Sequence, residues 1–232
     1  PKDDNIRAYI NVADLEDTDF LQSNYIVFAT KKGQIKRTSL EAFSRPRSNG
    51  IIAISIREDD QLLEARLTKE NGQIIMANKN GRAIRFNVDD VRSMGRTASG
   101  VRGMSLDDDL DEIVGMVVFN EEDDDYSLLV VSENGMGKRS ALEDYRLTKR
   151  GGKGVKTLQI SNKTGKLIAL KAVRDDFDLM ITNTSGIVIR LAVKDMRIMG
   201  RATQGVRLIN LYGDDQIADV AVVKKEEEGE EE

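Results

Sequence analysis

The 232-residue chain contains no cysteine and no histidine. Without cysteine there can be no disulfide and no thiolate metal site, which fits a reducing, cytoplasmic setting. Without histidine the chain lacks the commonest metal ligand and the usual general base. No catalytic residue and no metal site are therefore expected. No stretch of about 18 apolar residues is present, so no membrane-spanning helix is expected, and no charged-then-apolar signal segment opens the chain. Its first residue is Pro1 and not methionine, which suggests a piece of a longer protein. Aromatic residues make up only 5%.

What the sequence does have is a repeat. A turn glycine followed four residues later by arginine recurs as Gly33/Arg37, Gly81/Arg85, Gly135/Arg139 and Gly186/Arg190. A second glycine, Gly50, Gly100, Gly154 and Gly205, follows each pair at the head of a basic loop. A period of about 50 residues marks an array of equivalent structural units. Each unit holds short β-branched stretches, for example Leu62–Thr68, Gln73–Asn78, Ala83–Val88 and Val101–Leu106. The second and third stretches are joined by Lys32-Gly33, Asn80-Gly81, Asn134-Gly135 or Ser185-Gly186, where glycine supplies the positive φ of a tight hairpin.

With Ile6–Ala13 as a leading strand and Ile217–Val223 as a trailing one, the pattern predicts an all-β fold. It is a propeller-like array of four-stranded antiparallel blades, four in this chain, over residues 1–225. Residues 226–232 are an acidic tail expected to stay disordered. Phe43, Val91, Tyr145 and Met196 occupy one slot of the repeat, six residues after the arginines, and read as packing residues.

Net charge is −5, but removing the six glutamates of the tail turns it into +1. The remaining charge is segregated. The loop before each fourth strand is basic: Arg45 and Arg47; Arg92, Arg96 and Arg102; Arg146, Lys149, Arg150, Lys153 and Lys156; Arg197, Arg201 and Arg207. Residues 92–102, 146–156 and 197–207 include no acid, whereas Asp59-Asp60, Asp107-Asp108-Asp109 and Asp214-Asp215 follow the fourth strands. Antiparallel topology places the two kinds of connection at opposite ends of a blade. One arginine per repeat is then expected to become a track of charge once units stack.

Any single basic loop reads as a solvated surface. Four aligned ones read as the footprint of a polyanion, with small residues letting backbone amides approach phosphates. Scarce aromatics argue against base stacking, and no basic recognition helix is visible. What remains is a sequence-tolerant grip on the backbone of bent duplex DNA.

The segment Thr148-Lys149-Arg150-Gly151-Gly152-Lys153-Gly154 resembles the Q-[KR]-R-G-G-K-G heptad, or "box", of the C-terminal β-pinwheel domain of the bacterial DNA gyrase A subunit. The accompanying pattern Gly-Arg-x-Thr/Ala-x-Gly-Val-Arg extends the resemblance up to about Val223. The resemblance implies a module that wraps duplex DNA with positive handedness around a basic rim. It also implies partners: the remainder of the A subunit, with the B subunit, in an A2B2 enzyme whose ATP and magnesium sites lie elsewhere. Two departures stand out. The family's pinwheels typically have six blades with the heptad in the first, whereas here four units are counted and the heptad is in the third. Position 148 is Thr where the family has Gln. The corresponding domain of topoisomerase IV, which steers substrate choice, and a scaffold whose basic face meets an acidic protein remain as alternatives. The tail Glu226–Glu232 reads either as an internal polyanion competing for the basic loops or as a solubilising end.

Overall fold

In the computed structural model, residues 6–12, 14–120, 123 and 125–224 are described. The tail expected at 226–232 lies outside them. The described residues form β1 (Asn24–Thr30), β2 (Gln34–Ser39), β3 (Leu62–Lys69), β4 (Gln73–Asn78), β5 (Arg82–Asn87), β6 (Val101–Arg102), β7 (Ile113–Phe119), β8 (Ser127–Ser132), β9 (Met136–Ala141), β10 (Val155–Lys156), β11 (Leu167–Val173), β12 (Phe177–Asn183), β13 (Val188–Ala192), β14 (Val206–Arg207) and β15 (Ile217–Lys224). One short helix, α1 (Thr18–Ser23), precedes β1; Asp17 caps it by accepting from the Phe20 amide at 3.0 Å. The chain divides into two compact units, residues 1–124 with 145–155 and residues 125–144 with 156–232.

Four antiparallel sheets result, the blades of a β-pinwheel. The first unit holds β3-β1-β2-β6 and β10-β5-β4-β7; the second holds β11-β8-β9-β14 and the three-stranded β13-β12-β15. All four predicted hairpins form. Gly33, Gly81, Gly135 and Gly186 adopt φ of 76 to 85°, and each amide closes its turn at 3.1 Å onto the residue three before it.

The phase of the repeat differs from the sequence reading. The strand expected to open each unit pairs instead with the hairpin before it, as β3 does with β1 from Asn24↔Lys69 to Thr30↔Leu62. The fourth strand also belongs to the preceding hairpin: Val101 and Arg102 pair with Ile35 and Gln34 of β2. Each fourth strand is only two residues long, against the six expected. Ile6–Val12 forms no strand, because β3 already occupies the place beside β1. Its alternating Ala8, Ile10 and Val12 pack instead on the apolar cluster around Phe28 and Leu40.

In the first unit, the core joins Val27 and Ile35 of one sheet to Ile74, Met76, Ile84 and Phe86 of the next. In the second, Leu129 and Val131 meet Leu179, Ile181, Ile217 and Val220. The packing slot behaves as expected: Val91 and Tyr145 are buried, while Phe43 and Met196 are half-buried against their clusters.

Candidate nucleic-acid interface

Each basic loop after the first lies along the edge strand of the preceding hairpin. Three equivalent backbone contacts start it: Met94 N–H to Arg37 O (2.8 Å), Thr148 to Arg85 (2.9 Å) and Met199 to Arg139 (2.8 Å). Three glycines then bring it in. Gly100, Gly154 and Gly205 have φ of 93, 71 and 76°, and a β-carbon on them would stand 2.5, 2.2 and 2.5 Å from the carbonyl oxygens of Ile35, Ala83 and Gly137. These glycines dock the loop on the blade; the sequence reading had given them to phosphates. Gly50 shares the backbone (φ +76°) but has nothing within 4 Å of that point.

The repeated turn arginines do not form a track of charge, contrary to the expectation. Arg37 is buried, pairs with Asp89 at 2.7 Å and stacks 4.6 Å from the Tyr25 ring centroid. Arg85 holds Gln73 Oε1 at 2.8 Å and Tyr145 O at 3.2 Å. Buried Arg139 donates to Val193 O at 2.8 Å and pairs with Asp175 at 2.6 Å. They clamp the 3₁₀ turn of the following repeat (Val88–Asp90, Leu142–Asp144 and Val193–Asp195) at or beside its ends, each through a carboxylate or a backbone carbonyl there. Only Arg190 keeps its side chain largely exposed, beside Asp178.

Two lysines that sequence reading missed also hold the loops. Lys36 and Lys138 occupy one position of the repeat and are buried. The Lys36 ammonium donates to Ala53 O at 2.5 Å and to Arg96 O; that of Lys138 reaches Gly200 O at 2.7 Å and Ser140 Oγ at 3.1 Å. Burial, with Arg96 adding repulsion, lowers the Lys36 pKa from 10.5 to about 8. Burial lowers Lys138 to about 8 as well, against the pull of Asp144 and with a push from Arg201. Their only sequence signal was lysine at a slot where Ile84 and Ile189 stand in the other two repeats.

The predicted site cations fall into three groups. Arg45, Arg47, Arg92, Arg102, Arg146, Lys156 and Arg197 are exposed and form no ion pair with the described residues; Arg207 reaches only Asn210 Oδ1, at 3.3 Å. Arg96, Arg150 and Arg201 are half-buried. Arg150 donates to Asp90 O (2.8 Å) and Arg102 O (2.9 Å), and Arg201 to Lys156 O (2.8 Å). Lys149 and Lys153 project outward but meet acids, Asp90 at 2.6 Å and Asp107 at 3.1 Å. Acid and base are therefore not confined to opposite ends of every blade. The loop carrying Lys153 docks beside β6, which brings it to the aspartates that follow that strand. In the heptad, Gly151 N–H donates to Gly103 O at 2.6 Å, and Gly152 O accepts from Ser105 N–H at 3.0 Å. Arg146, Lys149, Lys153 and the backbone of Gly152 and Gly154 line a recess of about 310 Å³ over Ala83 and Ile84.

The repeat that builds this surface is found in known proteins. A family described as the DNA gyrase C-terminal domain, beta-propeller, matches residues 24–69, 72–120, 126–174 and 178–224. The chain belongs to this family. Over 228 residues, 98% of its length, it is 47% identical to the DNA gyrase A subunit of Staphylococcus aureus (strain NCTC 8325 / PS 47), and it spans 25% of that relative. It is 46% identical over 230 residues, again 25% of the relative, to the same protein of strain MRSA252. A solved DNA gyrase A C-terminal domain superposes with a TM-score of 0.78 at 26% identity, covering 93% of this chain and 69% of that one. The C-terminal domain of a DNA topoisomerase IV shares the fold with a TM-score of 0.83 at 23% identity, covering 93% and 65%. Each segment matched by the gyrase family begins at a hairpin and ends on the strand that joins it, so the family's unit follows the blade. The heptad then lies on the sheet built around β4 and β5, one blade before the repeat that encodes it.

Among the described residues no cluster of His, Cys, Asp or Glu is set to hold a metal ion, and no helix is long and apolar enough to cross a membrane.

Proposed function

We propose that this chain binds duplex DNA through its phosphates, without regard to base sequence, and bends it as the wrapping module of a gyrase A subunit. The observation that carries the reading is the recurrence of exposed Arg92, Arg146 and Arg197 at one position of three loops, each loop pinned to its blade by a glycine. A cation on a loop pinned to its own blade loses little entropy on meeting a phosphate, and each contact releases a counterion. Strand cleavage, ATP hydrolysis and magnesium chemistry belong, on this reading, to the rest of the gyrase A chain, together with its B-type partner. The resulting negative supercoiling is then a property of the cytoplasmic holoenzyme.

Anisotropy titrations of unrelated duplexes across a salt series test the binding. Similar affinities and a fall of tenfold or more between 50 and 200 mM salt are expected, of the order for several phosphates released. Binding that is indifferent to salt contradicts phosphate contact. Relaxing a DNA circle with a nicking-closing enzyme in the presence of the chain then tests the wrap. A positive shift in linking number supports the gyrase-type role; binding without a shift supports the steering role of a topoisomerase IV domain.

A further inference from the structure

Successive basic loops are tied to one another as well as to the blades. The same backbone bond recurs three times, each time within one compact unit: Ser55 N–H to Ala98 O (3.3 Å), Ser105 to Gly152 (3.0 Å) and Gln159 to Thr203 (3.1 Å). Serine hydroxyls repeat the tie twice, from Ser55 to Thr97 O and from Ser105 to Gly151 O, both at 2.7 Å. Onto this seam falls the central arginine of the basic loop. Arg150 crosses to Arg102 O of the loop before it, and Arg201 crosses in the same way to Lys156 O. Between the first two loops, where Arg96 makes no such bond, Lys36 spans the gap from Ala53 O to Arg96 O.

We infer that Arg150 and Arg201 are positioning residues, staples that hold their basic loops to the preceding ones, and that phosphate contact passes to the exposed arginines Arg92, Arg146 and Arg197. This inference rests on the DNA-binding reading for the second half of the claim only. Arg150 is half-buried and spends two of its donors on backbone carbonyls. Arg92, Arg146 and Arg197 are exposed and have no partner among the described residues. A carbonyl staple needs the planar fork of a guanidinium; a phosphate contact is served nearly as well by any cation on a long stem.

The test compares Arg150→Ala, Arg150→Lys, Arg146→Ala and Arg146→Lys in the whole chain. Without DNA, hydrogen exchange is followed at the amides of Gly151 and Ser105, which bridge the two loops. Both Arg150 variants should speed it by about tenfold, the usual effect of losing a charged hydrogen bond, and both Arg146 variants should leave it unchanged. With a duplex, Arg146→Ala should lower the slope of log affinity against log salt by about 0.9, and Arg146→Lys should restore it. Arg150→Lys keeps the charge and should still bind several-fold more weakly. Unchanged exchange in Arg150→Ala, or parent-like binding by Arg150→Lys, overturns the staple. If the parent chain itself shows no salt-dependent binding, the DNA reading fails, and the exchange measurement still decides the staple.

Discussion

Lys36 and Lys138 place an ammonium group where the repeat elsewhere places isoleucine, and this has a consequence for stability. Each is buried among the carbonyls of a basic loop, and each has a folded pKa near 8 against 10.5 when free. Between those values the unfolded chain binds more protons than the folded one, so stability rises with pH. Below about pH 8 the full cost of burying the charge is present; it is relieved as pH climbs toward 10.5. The relief is on the order of 1 kcal/mol per unit of pKa depression. Lys138→Met keeps the stem's packing, loses the bond to Gly200 O and removes the titration. Urea unfolding at pH 7.5 and 9.5 should therefore show the parent gaining on the variant with rising pH, whatever fixed offset the lost bond adds. Parallel behaviour would mean that Lys138 does not titrate in the folded chain. Arg37 and Arg139 differ from these lysines because a guanidinium brings several donors in one plane and can reach more than one acceptor at once.

At the scale of elements, the docking glycines separate two costs that are usually mixed. Gly50 and Gly154 have nearly the same left-handed backbone, at +76° and +71°. Alanine at either position meets the same strain, about 1–2 kcal/mol. At Gly154 the new methyl would also stand 2.2 Å from Ala83 O, whereas at Gly50 it would meet nothing. Gly154→Ala should thus lose a further 1–3 kcal/mol or so, the usual range for overpacking. Thermal unfolding of the two variants side by side checks this, and equal losses would mean that the heptad loop is not seated on β5. The hairpins were legible in the sequence because Asn80-Gly81 and Asn134-Gly135 carry their turn geometry locally. The swap of strands was not. Val101-Arg102 offers two residues' worth of backbone bonds to any edge, and contacts distant in sequence select the blade: the seating of Gly100 under Ile35 O, the Met94 bond to Arg37 O and the Lys36 bond to Arg96 O. Ile6–Val12 misled for the reverse reason: its alternation is real and its apolar face is used, but the place beside β1 is taken by β3.

For the molecule as a whole, the charge pattern in the sequence differs from the charge pattern in space. Residues 146–156 contain no acid, yet Lys149 sits on Asp90 and Lys153 on Asp107. Sequence windows could reveal which loops are basic, but not which cations in them are already answered. The first unit allows that difference to be measured. Arg92 and Arg146 have no acidic partner there, so removing both as Arg92→Ala/Arg146→Ala should take about 1.8 from the log–log salt slope of duplex binding, 0.9 for each phosphate. Lys153 is partly neutralised at 3.1 Å by an aspartate whose own side chain is 30% exposed. Such a pair is weak in water, worth about 0–1 kcal/mol, and a phosphate can displace it. Asp107→Asn leaves the lysine free and removes a negative charge from beside the path of the DNA. Affinity should rise two- to five-fold at low salt, an effect of the same 1 kcal/mol order, and the gain should shrink as the Debye length falls from about 10 Å at 0.1 M toward 3 Å at 1 M. A gain that persists undiminished at high salt would trace it to loop conformation instead. No gain at any salt would place Lys153 off the path of the duplex, leaving the heptad's contribution to Lys149 and the neighbouring Arg146.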